Sequence, residues 1–163
     1  MDVQTWRLIC HHSNPEGALD AYWRDEFIAL GWRIDDLRDL LPRGPHEIKS
    51  WFDAHSERLI ADNASEGARC MWGFYHEMVG GDLVILGTGK RRVRVVRVRE
   101  RQVGDYTFAR ETHPVIGDYW HRRAVERKGF NPDELWKLSG GCAPGWNPRW
   151  ALILCKNRVR CDG

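Results

Sequence analysis

Residues 3–10 (VQTWRLIC) alternate partly between apolar and polar positions, which predicts a short first strand. Over residues 18–30 the pattern changes. Leu19, Tyr22, Trp23, Phe27 and Leu30 recur at three- and four-residue steps and mark one face of a helix. Ser13 and Glu16 have capping-box spacing, whereas Pro15 at the first helical position makes Asn14 the cap instead. Gly31 is placed to end that helix in a left-handed conformation. Residues 35–41 form a short helical turn stopped by Pro42. Pro45 opens another helix, with Ile48, Trp51, Phe52 and His55 on one face. A further helix runs from about 66 to 78 with Ala68, Met71, Trp72 and Tyr75 inward, and Gly80-Gly81 breaks it.

The second half of the chain reads as β-rich. Residues 83–86 form a short buried strand, and Gly87-Thr88-Gly89 is a turn. In the next strand Val93 and Val95 are at odd positions, Val96 and Val98 at even ones. Strand alternation has period two, so a bulge or break is expected near Val95-Val96. Residues 103–109 and 119–125 are further strands, and Asn131-Pro132-Asp133-Glu134 starts a short helix. A Gly/Pro-rich loop over residues 139–148 leads to a last strand at 150–155. One strand, several helices, then a set of strands predicts an α+β fold. Its expected form is a small bent barrel of five to six strands, closed by the first strand and flanked by three to four helices. At 163 residues the chain suits a single domain, 1–163.

Composition narrows the function classes. The N-terminus lacks a basic segment followed by an apolar one, so no signal peptide is read. The longest fully apolar run, residues 150–155, is far short of the roughly 20 residues of a membrane span. Five cysteines (Cys10, Cys70, Cys142, Cys155, Cys161) stand at unrelated spacings without a CxxC pair. Neither a zinc site nor a disulfide framework is indicated, and a reducing cytoplasm fits. Nine tryptophans imply a generous core or stacking surfaces for a ligand. Seven basic residues and one acid between Lys90 and Arg101 sum to +6, which leaves −4 for the rest of a chain whose formal charge is +2. One basic stripe on a slightly acidic body is the footprint of a phosphate-contacting face. No P-loop, GxGxxG, GxSxG or HxxxH-type metal spacing is present, so neither a cofactor nor a metal is expected. A histidine-based hydrolase built around His11-His12 is the residual enzymatic reading.

Several short motifs follow one another in a fixed order. They are Cys10-His11-His12-Ser13; Ile28-Ala29-Leu30-Gly31-Trp32; Asp36-Leu37; Met71-Trp72-Gly73-Phe74-Tyr75; and Gly80-Gly81-Asp82-Leu83-Val84-Ile85. Val103-Gly104-Asp105-Tyr106-Thr107-Phe108 and His113-Pro114 come next, leading into Arg123-Ala124-Val125-Glu126. In order and spacing this resembles the EVE domains of the PUA-like superfamily, relatives of YTH and ASCH domains. EVE-like domains at the head of methyl-directed restriction GTPases are the nearest in kind. The resemblance covers about residues 1–126. It departs at Arg127, where such domains often carry a tryptophan, and in the arginine-filled strand before Val103-Gly104-Asp105, where they carry a glycine-rich step. Residues 127–163 lie outside it, as an extension with a short helix and a strand, or an oligomer contact.

What the resemblance implies is a non-catalytic reader of a modified base, methylated in the leading case. The base would come from DNA more readily than RNA, and the setting would be phage defence or restriction beside a separate effector. An RNA-binding module and a sensor of a small nucleotide derivative are the alternatives. The implied pocket lies between the end of the first strand, the Gly31-Trp32 corner and the loop after the third strand. A flipped base costs a few kcal/mol, which aromatic walls return at about 1–3 kcal/mol per stacked base. Trp32 is the first choice for such a wall, against a role as a core plug. Tyr106 and Phe108 alternate on one strand face, toward either the mouth or the core. Trp72 stands on an apolar helical stripe that is core unless the ligand reaches it. His11, His12 and Ser13 leave the first strand where base edges are read, unless they are an inert loop. Asp36 accepts from an exocyclic amine or caps the next turn. Arg92, Arg94, Arg97 and Arg99 hold flanking phosphates or form a solvated strand face.

Overall fold

A computed structural model describes residues 1–59, 63–99 and 106–162. The elements run β1 (Asp2–Val3), β2 (Thr5–Ile9), α1 (Pro15–Asp25), β3 (Phe27–Leu30), α2 (Leu37–Leu40), α3 (Pro45–Ala54) and α4 (Ala64–Trp72). A π-helical turn (Gly73–Glu77) prolongs α4. Next come β4 (Leu83–Gly87), β5 (Arg92–Val98), β6 (Tyr106–Phe108), β7 (His121–Lys128), α5 (Pro132–Leu138), β8 (Leu152–Leu154) and β9 (Val159–Arg160). The fold is α+β, built on a curled half-barrel sheet.

The main sheet has seven strands in the order β3-β7-β5-β4-β2-β8, with β6 also paired to β7. β2 is interior, parallel to β4 and antiparallel to β8, so the first strand does not close the sheet as expected. Among the described residues the edges β3 and β8 do not pair. β7 joins the two halves: Leu30 opposes His121 near its start, and Val98 opposes Val125 further on.

Two local expectations are corrected. The helix over residues 18–30 ends at Asp25, because Glu26 turns left-handed (φ 56) and β3 then pairs with β7. The unusual Glu26 conformation is held from outside: its carbonyl accepts from Val125 N–H and its carboxylate meets Arg99 at 3.0 Å. Ile28, Ala29 and Leu30 are all buried, and a continuous apolar run suits a strand covered on both sides as well as a helix. Gly31 therefore ends no helix.

The second correction concerns Val95-Val96. Period two holds there without a break, because both sheet faces are covered. Val96 and Val98 enter the main core with Trp6, Leu8, Tyr22 and Phe52. Val95 joins Val3, Leu83, Ile85 and Leu135 on the opposite face, where α5 packs. The register shift lies earlier: Leu86 opposes Arg94 and Gly87 opposes Arg92, leaving Val93 as the extra residue. Residues 127–163, read as an extension with a short helix and a strand, contain both and pack on the rest of the domain. They supply α5 over the back face, β8 beside β2, and β9 paired with β1. Asn131 caps α5 by accepting from the Asp133 and Glu134 N–H groups; Asn131→Ala is expected to cost about 1 kcal/mol in denaturant unfolding.

The tryptophan surplus also finds its use. Trp23, Trp51, Trp120, Trp136 and Trp146 each lie under at least one arginine guanidinium, at 4.1 to 5.8 Å from the ring centroid. Most of these indoles therefore brace arginines rather than wait for a ligand.

Candidate functional site

β2 and β4 run parallel and end together, Cys10 N–H donating to the Gly87 carbonyl. A cavity of about 480 Å³ lies at their carboxyl ends, within the range of small-molecule sites. Its wall takes His11, His12 and Pro15 after β2, Gly31, Trp32 and Arg33 after β3, and Thr88-Gly89 after β4. Arg58, Asn63, Glu66, Tyr119, Arg149 and Ala151 complete it.

Two glycines seat its two large rings. A Cβ on Gly31 would stand 2.2 Å from Tyr119 Cε1, so only a bare backbone lets that ring lie down. A Cβ on Gly67 of α4 would stand 2.6 Å from Trp32 Nε1. Trp32 is then fixed in rotation by a chain of bonds. Its Nε1–H donates to Asn63 Oδ1 (3.2 Å), Asn63 Nδ2 donates to Glu66 Oε2 (3.0 Å), and the Ala151 N–H donates to Glu66 Oε1 (3.2 Å). Asn63→Leu is expected to leave the fold intact while freeing the indole, read as a broader Trp32 environment by tryptophan fluorescence or NMR.

Another part of the wall is an assembly of three rings. The Tyr119 and His12 ring planes are 18° from parallel, with Tyr119 Oη and His12 Nδ1 2.8 Å apart. His11 stacks on both, at 4.2 Å from Tyr119 and 4.4 Å from His12. The hydrogen positions follow from the partners. Burial pushes the Tyr119 hydroxyl up to about 12, so it keeps its proton at neutral pH. It accepts from the His12 backbone N–H (3.0 Å) and meets the His12 ring at Nδ1. His11 Nδ1 accepts from the Ser13 and Asn14 N–H groups (3.1 and 3.0 Å), so Nε2–H donates to the Ile116 carbonyl (3.1 Å). Burial holds the His11 imidazolium form below the ordinary histidine range. His11 is thus a neutral structural ring, and its turn delivers Asn14 to cap α1.

The structure brings Trp32, His11 and His12 to one cavity and leaves the other candidates elsewhere. Ser13 is exposed and touches His11 Nδ1, outside the cavity wall. Tyr106 is buried in the core; its hydroxyl accepts from Leu37 N–H and meets His121 Nδ1 at 2.7 Å. Phe108 packs near Trp120 and His121. Trp72 stacks on His76. Asp36 caps α2 and is ion-paired with Arg38 (2.6 Å), whose hydrogen bond holds the Asp36 carboxyl below the usual carboxylate range.

The stripe arginines do not reach the cavity wall either. Arg92 pairs with Asp133 (2.8 Å), Arg99 with Glu26, and Arg94 lies over Trp23. Arg97 Nε is buried in the sheet without a hydrogen-bond partner. Val103, Gly104 and Asp105 of the aromatic run, with Glu100 and Arg101, lie outside the described residues.

Sequence reasoning missed Tyr119, Arg33, Arg58, Asn63, Glu66 and Arg149. Tyr119 was legible only as a strand residue. The pairing of His11 with a ring 108 positions later has no local signal.

Among the described residues no group of three or more His, Cys, Asp or Glu is arranged to hold a metal, and no helix is long and apolar enough to cross a membrane. No curated protein and no solved structure matches the chain. A family model does match, over residues 6–128, which spans β2 to the end of β7 and so carries most of the cavity wall. The chain therefore belongs to the family described as a domain of unknown function, DUF8426.

Proposed function

We propose that the protein is a non-catalytic reader that takes one flat nucleobase, methylated in the leading case, from a DNA strand into the cavity between Trp32 and the Tyr119–His12 pair. The observation that supports this most directly is a cavity of about 480 Å³ whose rings are seated by glycines and locked by hydrogen bonds before any ligand arrives. Preset aromatic walls suit a flat heterocycle, because the rings need not be ordered on binding. A buried methyl adds only about 0.8 kcal/mol, so discrimination rests on polar groups such as the His12 ring meeting the right edge of the base. His11, with both ring nitrogens occupied, is poorly placed as a general base, in keeping with a binding rather than a hydrolytic role.

One observation favours a second reading, a sensor of a free nucleotide derivative. Three of the stripe arginines expected to hold flanking phosphates, Arg92, Arg99 and Arg94, are engaged with Asp133, Glu26 and Trp23.

A binding panel tests both. Short DNA and RNA strands with one methylated cytosine or adenine, their plain counterparts and the free methylated nucleotides are titrated against wild type and Trp32→Ala. Removing one stacking wall should weaken binding about 5- to 150-fold, the equivalent of about 1–3 kcal/mol. Preference for strands over free nucleotides, with steep salt dependence, supports the reader; preference for free nucleotides supports the sensor. Equal binding by wild type and Trp32→Ala sinks both.

A further inference from the structure

The cavity has a basic rim that the sequence stripe did not reveal, and its arginines are tied to one another. Arg33 lines the cavity, and its Nε–H donates to the Arg58 carbonyl (3.2 Å). Arg58 also lines the cavity; its guanidinium meets Asp35 at 3.2 Å and lies 5.8 Å from the centroids of both Trp51 and Trp120. Arg110 reaches the same Asp35 (3.6 Å) and the same Trp120 ring (5.2 Å), and its side chain is 56% exposed. The shared acid and the shared indole make one continuous path from the cavity outward through Arg33, Arg58 and Arg110. Exposed Arg149 stands on the cavity wall as well.

We infer that the phosphodiester chain flanking the captured base runs over Arg33, Arg58 and Arg110, and not over the β5 arginines. The inference rests on the nucleobase-reader reading above. Position separates the two surfaces: Arg33 and Arg58 line the cavity, and no stripe arginine does. In the stripe, Arg92 and Arg99 each have an acid of their own, Asp133 and Glu26, and Arg94 lies over Trp23. At the rim Arg58 and Arg110 share Asp35, and Arg33 has no acid among the described residues. Glu66, the carboxylate on the cavity wall, is bonded to Asn63 and the Ala151 N–H. The rim thus keeps unneutralised positive charge where a strand leaving the cavity must pass. A guanidinium pinned over an indole presents its fork with little further loss of rotamer freedom, which suits a phosphate oxygen.

The test is the salt dependence of binding for a fluorescent single-stranded DNA carrying one methylated cytosine, beside the free methylated cytidine monophosphate. Arg110 is exposed, so Arg110→Gln should fold as wild type, checked by its unfolding curve. It should reduce the slope of log affinity against log salt by about 0.7, the loss of one phosphate contact on a single strand, and leave the free nucleotide's affinity unchanged. Arg110→Lys should restore most of the slope, and the double variant Arg92→Gln/Arg94→Gln should leave it unaltered. An unchanged slope in Arg110→Gln, or an equal fall in the β5 variant, overturns the rim assignment. The base-reading cavity then still stands if Trp32→Ala weakens binding of both probes by the factor given above. If the nucleotide binds and the strand does not, the rim assignment and the nucleic-acid reading fail together.

Discussion

Replacing Gly31 by alanine is expected to destabilise the protein by about 1–3 kcal/mol and to break up the ring assembly on one side of the cavity. The added methyl would overlap the Tyr119 ring, at 2.2 Å from Cε1 and 2.5 Å from Cζ. That ring cannot swing aside without cost. It stacks on His11, and its hydroxyl joins both the backbone and the ring of His12. Gly31 does not have a positive φ, so backbone strain adds nothing and the whole cost is steric. A double-mutant cycle with Tyr119→Ala isolates the contact. Tyr119→Ala removes the obstacle, so Gly31→Ala should cost close to nothing in that background, with a coupling of at least about 1 kcal/mol. If Gly31→Ala costs the same whether or not the Tyr119 ring is there, the seating argument is wrong. Ligand binding by Gly31→Ala should fall as far as by Tyr119→Ala, because both leave His12 without its partner.

The order of strands and helices was largely readable from the sequence, because the periodicities of α3, α4 and β4 and the Asn131-Pro132 cap are local signals. What failed was non-local. The step pattern that read Phe27 and Leu30 as helical is overridden by pairing with β7, nearly a hundred residues downstream, and by a left-handed Glu26 that propensity does not favour. Val95 and Val96 conflict only if one sheet face is wet, and α5 covers that face.

The candidate site divides in the same way. Trp32 follows a glycine corner, and His11-His12 follows a strand end, so both sit where chain reversals build crevices. The aromatic stripe residues Tyr106 and Trp72 are in fact committed to His121 and His76. Counting arginines found the densest run of charge but could not show which acids neutralise it. The rim arginines are scattered over 33, 58 and 110, and only the fold brings Arg58 and Arg110 to one acid and Arg33 to the Arg58 carbonyl.

Acid should unfold this protein in two stages, the first set by His121. That imidazole is fully buried, with Nδ1 bonded to the Tyr106 hydroxyl and Nε2 without a hydrogen-bond partner among the described residues, and the Ile34 and Trp32 backbones lie near the ring. Burial, opposed by those backbones, drives its titration down to about 4 from an ordinary 6.5. Between those values the unfolded chain binds a proton that the folded chain refuses, so stability falls as pH falls. The contribution is complete above about pH 6.5 and is lost progressively down to about pH 4, a total of about 3 kcal/mol. His11 and His113, also depressed by burial, act in the same direction. Asp82 acts against them: burial raises its carboxyl, so acid favours its folded, protonated form. Carboxylates held down by arginine or lysine partners, such as Asp36 and Glu126, give up their stabilisation only below the ordinary carboxylate range, which makes the second stage. Urea midpoints measured from pH 7.5 to 4 should therefore decline steadily in wild type and decline much less in His121→Gln, which keeps an acceptor for Tyr106 but cannot titrate. Parallel pH profiles for the two proteins would show that His121 is not the group being charged. Because the Trp32 backbone lies near the His121 ring, the first stage should also weaken ligand binding before the fold as a whole is lost.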